Sequence, residues 1–437
     1  MSSTMILEEK DKFLLNFEGQ DFSFEAKSFL KKRESASQAL RKLNFPTTKE
    51  EEWKYTRVNG ILKHPFSPQT AVNVPDIKHT LIPNWDGNLM VFINGFYSAK
   101  HSKIITDLDE SDVVISTISE AKKKHTSIMD QLYGIVAGYK DSVFTALNTA
   151  YANDGLFLYL PKNTKLQEPI HVLFLSDGED TSSQPRNFIL AENGSKATVT
   201  ISYQSLDDSP AFTNGVTEVI AKDNANISIN KIQLENESTF HVSKEEIVQH
   251  TGSQVNINTI TLSGKLVRND LNFKLDGKNT TSNLNGLYIT NDQQHVDNHS
   301  KVFHKKVGGV SNELYKGILS GKSTGVFNGK VFVEKEAQQT NAFQSNKNIL
   351  LSDDATINSK PELEIYADDV KCSHGSTTGQ FDEEAVFYLR ARGIGEMSAR
   401  KLLVSAFAGE VTEKIDHEIT REYVEQMIQR KFQDINE

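Results

Sequence analysis

Residues 226–234 (NISINKIQL) and 254–262 (QVNINTITL) repeat one pattern at an offset of 28 residues, and 197–201 (ATVTI) is a fainter relative upstream. Apolar and polar side chains alternate in each, the period of a strand with one face buried. A strand repeat with a period in the twenties constrains the fold strongly, because one coil cannot bury its apolar face until the next stacks on it. The surrounding text agrees. From Gly155 to about Ile365, short alternating runs are broken by Asn, Gly, Ser, Thr and Asp, and after Arg186 that region holds only Pro210 and Pro361. Asparagine suits the corners of such coils, since it tolerates the left-handed conformation of a tight bend. On pattern alone, a β-solenoid and a β-sandwich both stay open.

Helical periods flank this region. Phe29, Leu30, Ala36, Ala39, Leu40 and Leu43 mark an amphipathic helix over 28–43. Pro46-Thr47-Thr48 should stop it, and Thr48 with Glu51 reads as a capping box for a short helix carrying Trp53 and Tyr55. Residues 89–97 read as a strand ending in the Asn94-Gly95 turn, and 107–150 as loops alternating with helical stretches. Towards the carboxy terminus, Ala385, Val386 and Leu389 form one apolar stripe, Leu402, Leu403, Ala406 and Phe407 a second, and Tyr423, Val424, Met427 and Ile428 a third. Gly393-Ile394-Gly395 reads as a tight link between the first two helices. The division expected is a helical region over 1–85, a β core with a mixed entry segment over 86–378, and a helical domain over 379–437. Helices at that end would either cap the coils or face a partner.

Composition excludes several classes. A chain of 437 residues exceeds the size at which one core stops growing. One cysteine rules out an internal disulfide framework and a self-contained CxxC metal site. A net charge of −10 argues against a nucleic-acid binder, which needs a basic face for phosphates. Glu8, Glu9 and Asp11 stand where an export signal would be basic, and no apolar run approaches the ~18 residues of a membrane span. A soluble, cytoplasmic protein is expected.

Three local motifs invite chemistry that their context denies. Gly317-Ile-Leu-Ser-Gly321-Lys322-Ser323-Thr324 has one residue too few between its glycines for a phosphate-binding loop, with Lys316 where the first glycine should stand, and strand text follows it where a helix should start. His295 and His299 would share one strand face and His304 the other, so a common metal would need a break between them; satisfied solenoid histidines are the simpler reading. Asp368-Asp369 suggests the acid pair of a polysaccharide-active enzyme, but neighbours on a strand point to opposite faces.

The lone cysteine gives the sharper lead. Leu363-Glu-Ile-Tyr366 alternates like a strand and Asp382–Arg390 like a helix, which sets Lys371-Cys372-Ser373-His374-Gly375 at a sheet-to-helix junction. A thiol two residues from an imidazole suits soft-metal or sulfur chemistry.

The run ADDVKCSHGSTTGQFDEEAVFYLRARGI closely resembles the SufB/SufD family, scaffold subunits of the SUF iron–sulfur cluster assembly machinery. The similarity extends through SGKSTGVFNGKVFVEKEAQQTNAFQSNKNILLSDDA and ARKLLVSAFAGEV, and returns at FPTTKEEEWKYT, VFINGFYS and FTALNTAYANDGLFLYLPKNTKLQEPIHVLF, covering nearly the whole chain. Cys372-Ser373-His374 followed by Gly375 resembles the SufD branch more than the SufB branch. The resemblance implies a right-handed parallel β-helix flanked by two helical regions, and a scaffold in place of an enzyme. It implies pairing with a SufB paralogue, a homodimer being open to the isolated chain, and docking of the SufC ATPase on the carboxy-terminal helices, around Leu389, Arg392, Gly393, Ile394, Glu396, Leu402, Leu403 and Phe407. Cys372 and His374 would lie at the paralogue interface and share a transient iron–sulfur cluster with the partner, with no cofactor held tightly by the isolated chain. A thiolate and one imidazole are half a coordination sphere, so the partner must bring the rest. The alternatives are a SufB-type paralogue and a β-helix polysaccharide-active enzyme.

Overall fold

The fold is that of a computed structural model, which describes residues 3–69, 76–107 and 112–434, with side chains from 9 to 433. Met1, Ser2 and the Glu8 side chain of the amino-terminal stretch, and residues 108–111 of the mixed segment, lie outside the described residues. Nine helices are described: α1 (Ser3–Leu15), α2 (Lys27–Lys42), α3 (Asn59–Lys63), α4 (Ile118–Lys124), α5 (Thr126–Leu132), α6 (Val143–Tyr151), α7 (Glu383–Ala391), α8 (Glu396–Thr412) and α9 (Glu418–Asp434). Between α6 and α7 the chain winds as a parallel β-solenoid whose strands pass back and forth between two sheets, each brought to ten strands by counting those that precede α6, Asn88–Ile93 and Phe96–Tyr97 in one and Val114–Thr117 in the other.

The repeat read from the sequence is the ladder itself. Asn226 pairs with Gln254 and every residue through Gln233 and Thr261 follows in register, while Ile227 pairs back to Ala197. A shift of one residue would turn the whole inner set outward. Ile227, Ile229, Val255, Ile257 and Leu284 fill the interior with Val199, Leu271, Phe273 and Val331. On the outer face, Asn258 donates to Asn230 and Asn285 to Asn258, while Asn283 donates to Asn256 and Asn312 to Asn283.

One corner of the solenoid is built by alternation. Asn163, Gly194, Asn224, Gly252, Asn279 and Gly308 occupy it on successive coils, all at positive φ, and each glycine N–H is bonded to the coil beyond, Gly252 to Lys278 O and Gly308 to Gln338 O. A Cβ on Gly252 would stand 2.3 Å from Asn224 Oδ1, and one on Gly308 2.2 Å from Asn279 Oδ1. Each asparagine side chain thus fills the space that the next coil's missing side chain leaves, so the alternation is a packing requirement as well as a conformational one.

The entry end finishes in short antiparallel strands, Phe96–Tyr97 on one sheet and Val114–Thr117 on the other. The Asn94-Gly95 turn, both residues at positive φ, makes the first of these a tight hairpin. Helix α2 forms over the residues the periodicity marks. The capping box does not: Glu51–Trp53 is a single 3-10 turn without a side-chain cap, and Glu50, one residue earlier, accepts from the Thr47 backbone N–H at 3.0 Å. Phe13, Phe17, Phe45, Phe66 and Phe144 of this region pack on Phe212, Phe240 and Leu266, the outer face of one sheet.

The carboxy-terminal helices do not cap the open end. Val404, Ala408, Val411, Val424 and Ile428 of α8 and α9 lie on Ile232, Ile260, Leu287, Ile289 and Ile318, along the outer flank of the other sheet. That flank is an apolar stripe requiring cover. The last coil, Thr356–Ile365 and Val370–Gln380, is rich in Ser, Thr, Glu and Lys, and stays exposed or half-buried throughout. Pro361 is accommodated in the first of these strands because it ends its sheet.

Candidate functional site

Cys372 and His374 lie inside the final strand, Val370–Gln380, near its start; helix begins at Glu383, so the expected sheet-to-helix junction is eight residues further on. The strand continues because it still has a partner. Every residue from Val370 to Gln380 is in register with Thr340–Leu350, Ala342 opposite Cys372 and Gln344 opposite His374. Its other edge has no strand beside it among the described residues. Strand alternation puts Cys372 and His374 on the inward side. Cys372 is half-buried against the interior cluster, and His374 is exposed because no further coil covers it. Burial pushes the Cys372 thiol above its usual range, with a backbone hydrogen bond from Ala342 acting the other way. At neutral pH the isolated chain therefore presents a thiol, and a metal or a partner's positive charge is needed to make it a thiolate ligand. Among the described residues no three His, Cys, Asp or Glu side chains cluster as a metal site would require.

The other candidates fall into place around this edge. Gly317-Ile318-Leu319 ends one strand and Thr324 begins the next, with Gly321 at φ +60° between them, so the phosphate-loop resemblance is a solenoid turn. His304 points inward, its Nε2 2.9 Å from Ser311 Oγ. His295 and His299 face outward onto the amino-terminal segment, 2.8 Å from Thr56 Oγ1 and 3.3 Å from Glu52 Oε2 respectively. Asp368 and Asp369 lie in the turn before the last strand, not on a strand as supposed, and the Asp369 N–H donates to Gln338.

Of the carboxy-terminal residues, Gly393 at φ +89° and Ile394, whose N–H reaches Leu389 O, end α7 and turn the chain into α8. Arg392 stacks over Tyr388 at 4.2 Å, and Glu396 pairs with Arg390 and Arg400. Leu389 and Leu403 are half-buried and Leu402 is exposed. Phe407 packs towards the solenoid flank under the Lys316 ammonium. The periodicity missed Phe387, 72 % exposed, with Tyr388 and Met397, which like Leu402 are exposed apolar side chains of α7 and α8. It also missed a polar inner column at the open end. In register, Ile229, Ile257 and Leu284 give way to Glu313, Gln344 and His374. Extending the repeat two more coils would have shown this change.

The chain is thus a parallel β-solenoid whose last strand, free along one edge among the described residues, carries one thiol and one imidazole. The family model described as SUF system FeS cluster assembly, SufBD core domain, matches residues 174–407, and the SufBD protein N-terminal region matches 17–172. The chain belongs to the SufBD family. An iron–sulfur cluster assembly SufBD family protein of Synechocystis is 34 % identical over 88 % of this chain and 87 % of its own length. The iron–sulfur cluster assembly proteins SufD of Escherichia coli and Bacillus subtilis are 29 % and 24 % identical, over 89 % and 88 % of this chain and 89 % of their own lengths. Among the described residues no helix is long and apolar enough to cross a membrane.

Proposed function

We propose that this chain is a SufD-type scaffold of a cytoplasmic SUF assembly, without catalytic activity of its own, which offers Cys372 and His374 to a nascent iron–sulfur cluster at an interface with a SufB paralogue. The observation that carries this is the bare last coil. Its strand has a free edge, and its inward thiol and imidazole are left without a coil to cover them. A free strand edge is a template for another chain, and two soft-metal donors on it await completing ligands. The cluster is cargo, held transiently. Without the paralogue, the same edge can meet a second copy of the chain. The exposed apolar side chains of α7 and α8, Phe387, Tyr388, Met397 and Leu402, are the surface offered to the SufC ATPase, since a concentration of exposed large apolar residues on two consecutive helices is what an interface needs.

The test is co-purification of the tagged chain from its native cytoplasm, which should recover an ABC-type ATPase and a larger paralogue. With the complex in hand, His374→Ala should lower its iron and sulfide content several-fold while leaving the melting temperature of the chain nearly unchanged, because an exposed side chain contributes little packing. A large fall in melting temperature with unchanged cluster content per folded molecule would overturn the assignment.

A further inference from the structure

The inner column that ends in His374 contains a pair of side chains with no evident structural purpose. Glu313 stands where the coils before it have Leu284, Ile257 and Ile229, and Gln344 stands between it and His374. Both are buried. Gln344 Nε2 donates to Glu313 Oε2 at 2.9 Å. Across the interior the facing strand supplies Gly329, where a Cβ would stand 2.9 Å from Gln344 Nε2 and 3.1 Å from Glu313 Oε2. The pair occupies space that a side chain there would take. Burying such a pair carries a desolvation penalty, and apolar residues of similar volume in its place are often neutral or stabilising, so retaining it calls for a use.

The amide geometry supplies one. Gln344 Nε2 donates to Glu313 Oε2, and the ionised carboxylate, which accepts and does not donate, fixes which way the amide faces above about pH 7: NH2 towards Glu313, carbonyl oxygen away from it. That oxygen, Gln344 Oε1, is buried and has no hydrogen-bond partner among the described residues. Next along the column, one strand spacing of about 4.8 Å further, is His374. An imidazole that ligates through one nitrogen is held by an acceptor on the other, which fixes both tautomer and ring orientation. We propose that Gln344, set by Glu313, positions the imidazole of His374 by accepting its ring N–H, so that the second nitrogen faces out of the open end. This rests on Cys372 and His374 being the cluster-facing pair. Gln344 and Glu313 are positioning residues and touch no cargo.

The experiment uses the full chain labelled with ¹⁵N-histidine, in which long-range proton–nitrogen spectra report the tautomer of each neutral imidazole and His374→Gln identifies the His374 signals. At pH 8.5, where Glu313 is ionised, one N–H tautomer should dominate at His374 in the parent, and Gln344→Met, close in volume and without an acceptor oxygen, should give a mixture of the two. Glu313→Gln, which can hold the Gln344 amide in either orientation, should fall between. As a second readout, Co²⁺ binding followed by thiolate-to-metal absorption should weaken about 10- to 100-fold in Gln344→Met. An unchanged His374 tautomer ratio in a folded Gln344→Met chain would overturn the proposal; should that variant not fold, an unchanged ratio in Glu313→Gln would do so. The tautomer is read without a cluster, so the two readings can fail separately. If it shifts while His374→Ala leaves cluster content intact, the positioning role stands and the functional assignment falls.

Discussion

His299 joins two distant parts of the chain: its Nδ1 lies 3.3 Å from Glu52 in the amino-terminal segment, and its Nε2 lies 3.0 Å from Asp297 on its own strand. Arg268 reinforces the clasp, donating to Glu52 O at 2.9 Å with its guanidinium 4.2 Å over the Trp53 ring. Burial lowers the His299 pKa but Asp297 outweighs it and holds it above the ordinary histidine value, while hydrogen bonding from His299, helped by Lys301 against burial, holds Glu52 at about 2. A raised histidine contributes fully below its unfolded value of ~6.5 and less as pH rises through its folded value; a lowered carboxylate contributes above ~4.5 and less as pH falls. The clasp should be tightest between those limits. Hydrogen exchange of 44–56 should therefore quicken, relative to the solenoid, as pH rises from 6.5 to 8.5, and His299→Gln should remove that dependence. A parent whose relative protection is flat over the range would rule the clasp out.

The corner alternation gives a stability prediction. Gly252→Ala places a Cβ against Asn224 at positive φ and should cost about 1–3 kcal/mol, read as a lower midpoint in urea. Asn224→Gly in the same chain should recover part of the loss by clearing the clash.

Glu313 makes stability depend on pH. Burial raises its carboxyl to about 7, so the folded state binds a proton that the unfolded state releases near 4.5. Its contribution is whole below that value and lost as pH rises through about 7. The change is worth about 3 kcal/mol at 1.36 kcal/mol per unit. Glu313→Gln should be more stable than the parent at pH 8 and close to it at pH 4.5; denaturant midpoints at the two values decide this, and a pH-independent difference counts against it.

Because α8 and α9 cover the apolar flank, deleting everything after Gly379 would bare Ile232, Ile260 and Leu287 and confound a docking test with unfolding. Surface changes separate the two. Phe387→Glu or Met397→Glu should abolish capture of the SufC ATPase at unchanged melting temperature, whereas Val404→Ala should lower stability by ~1–3 kcal/mol and leave docking intact in the folded fraction. Reversing Arg392 or Glu396 should weaken capture by an amount that shrinks with added salt.

The turn at Gly321-Lys322-Ser323 opens a strand, so calorimetry should detect no binding of Mg-ATP to the chain on its own. Micromolar binding abolished by Lys322→Ala would contradict this.

The solenoid was legible wherever the repeat was strict, because parallel in-register stacking writes the same alternation into consecutive coils; 226–234 and 254–262 are literally paired strands. What the sequence hid depends on which surface is greedy for cover. Nothing in the stripe of Val404, Val424 and Ile428 says whether it meets an end or a flank; that is decided by Ile232, Ile260 and Leu287, outward residues on strands read mainly for their inward ones. Cys372 and His374 were found, but not the extent of their strand, since GSTTGQ has neither the apolar alternation nor the β-branched density by which strands are recognised; register with Thr340–Leu350 holds it extended. The hydrogen bond from the Thr47 N–H to Glu50 was missed by one residue because Thr47 and Thr48 offer the same chemistry in the sequence.

The two ends of the solenoid are unlike, one finishing in antiparallel strands of two and four residues and the other in strands of eleven and ten, and this sets a limit on assembly, because very short edge strands are poor templates. A coil stack with two bare ends would be a monomer for a fibre, each junction presenting a fresh end to the next. Here a junction between the two long-stranded ends consumes both and leaves only the short antiparallel ones. Association by this route stops at two chains, whether they are identical or paralogous, and places their inward-facing residues on either side of a single plane.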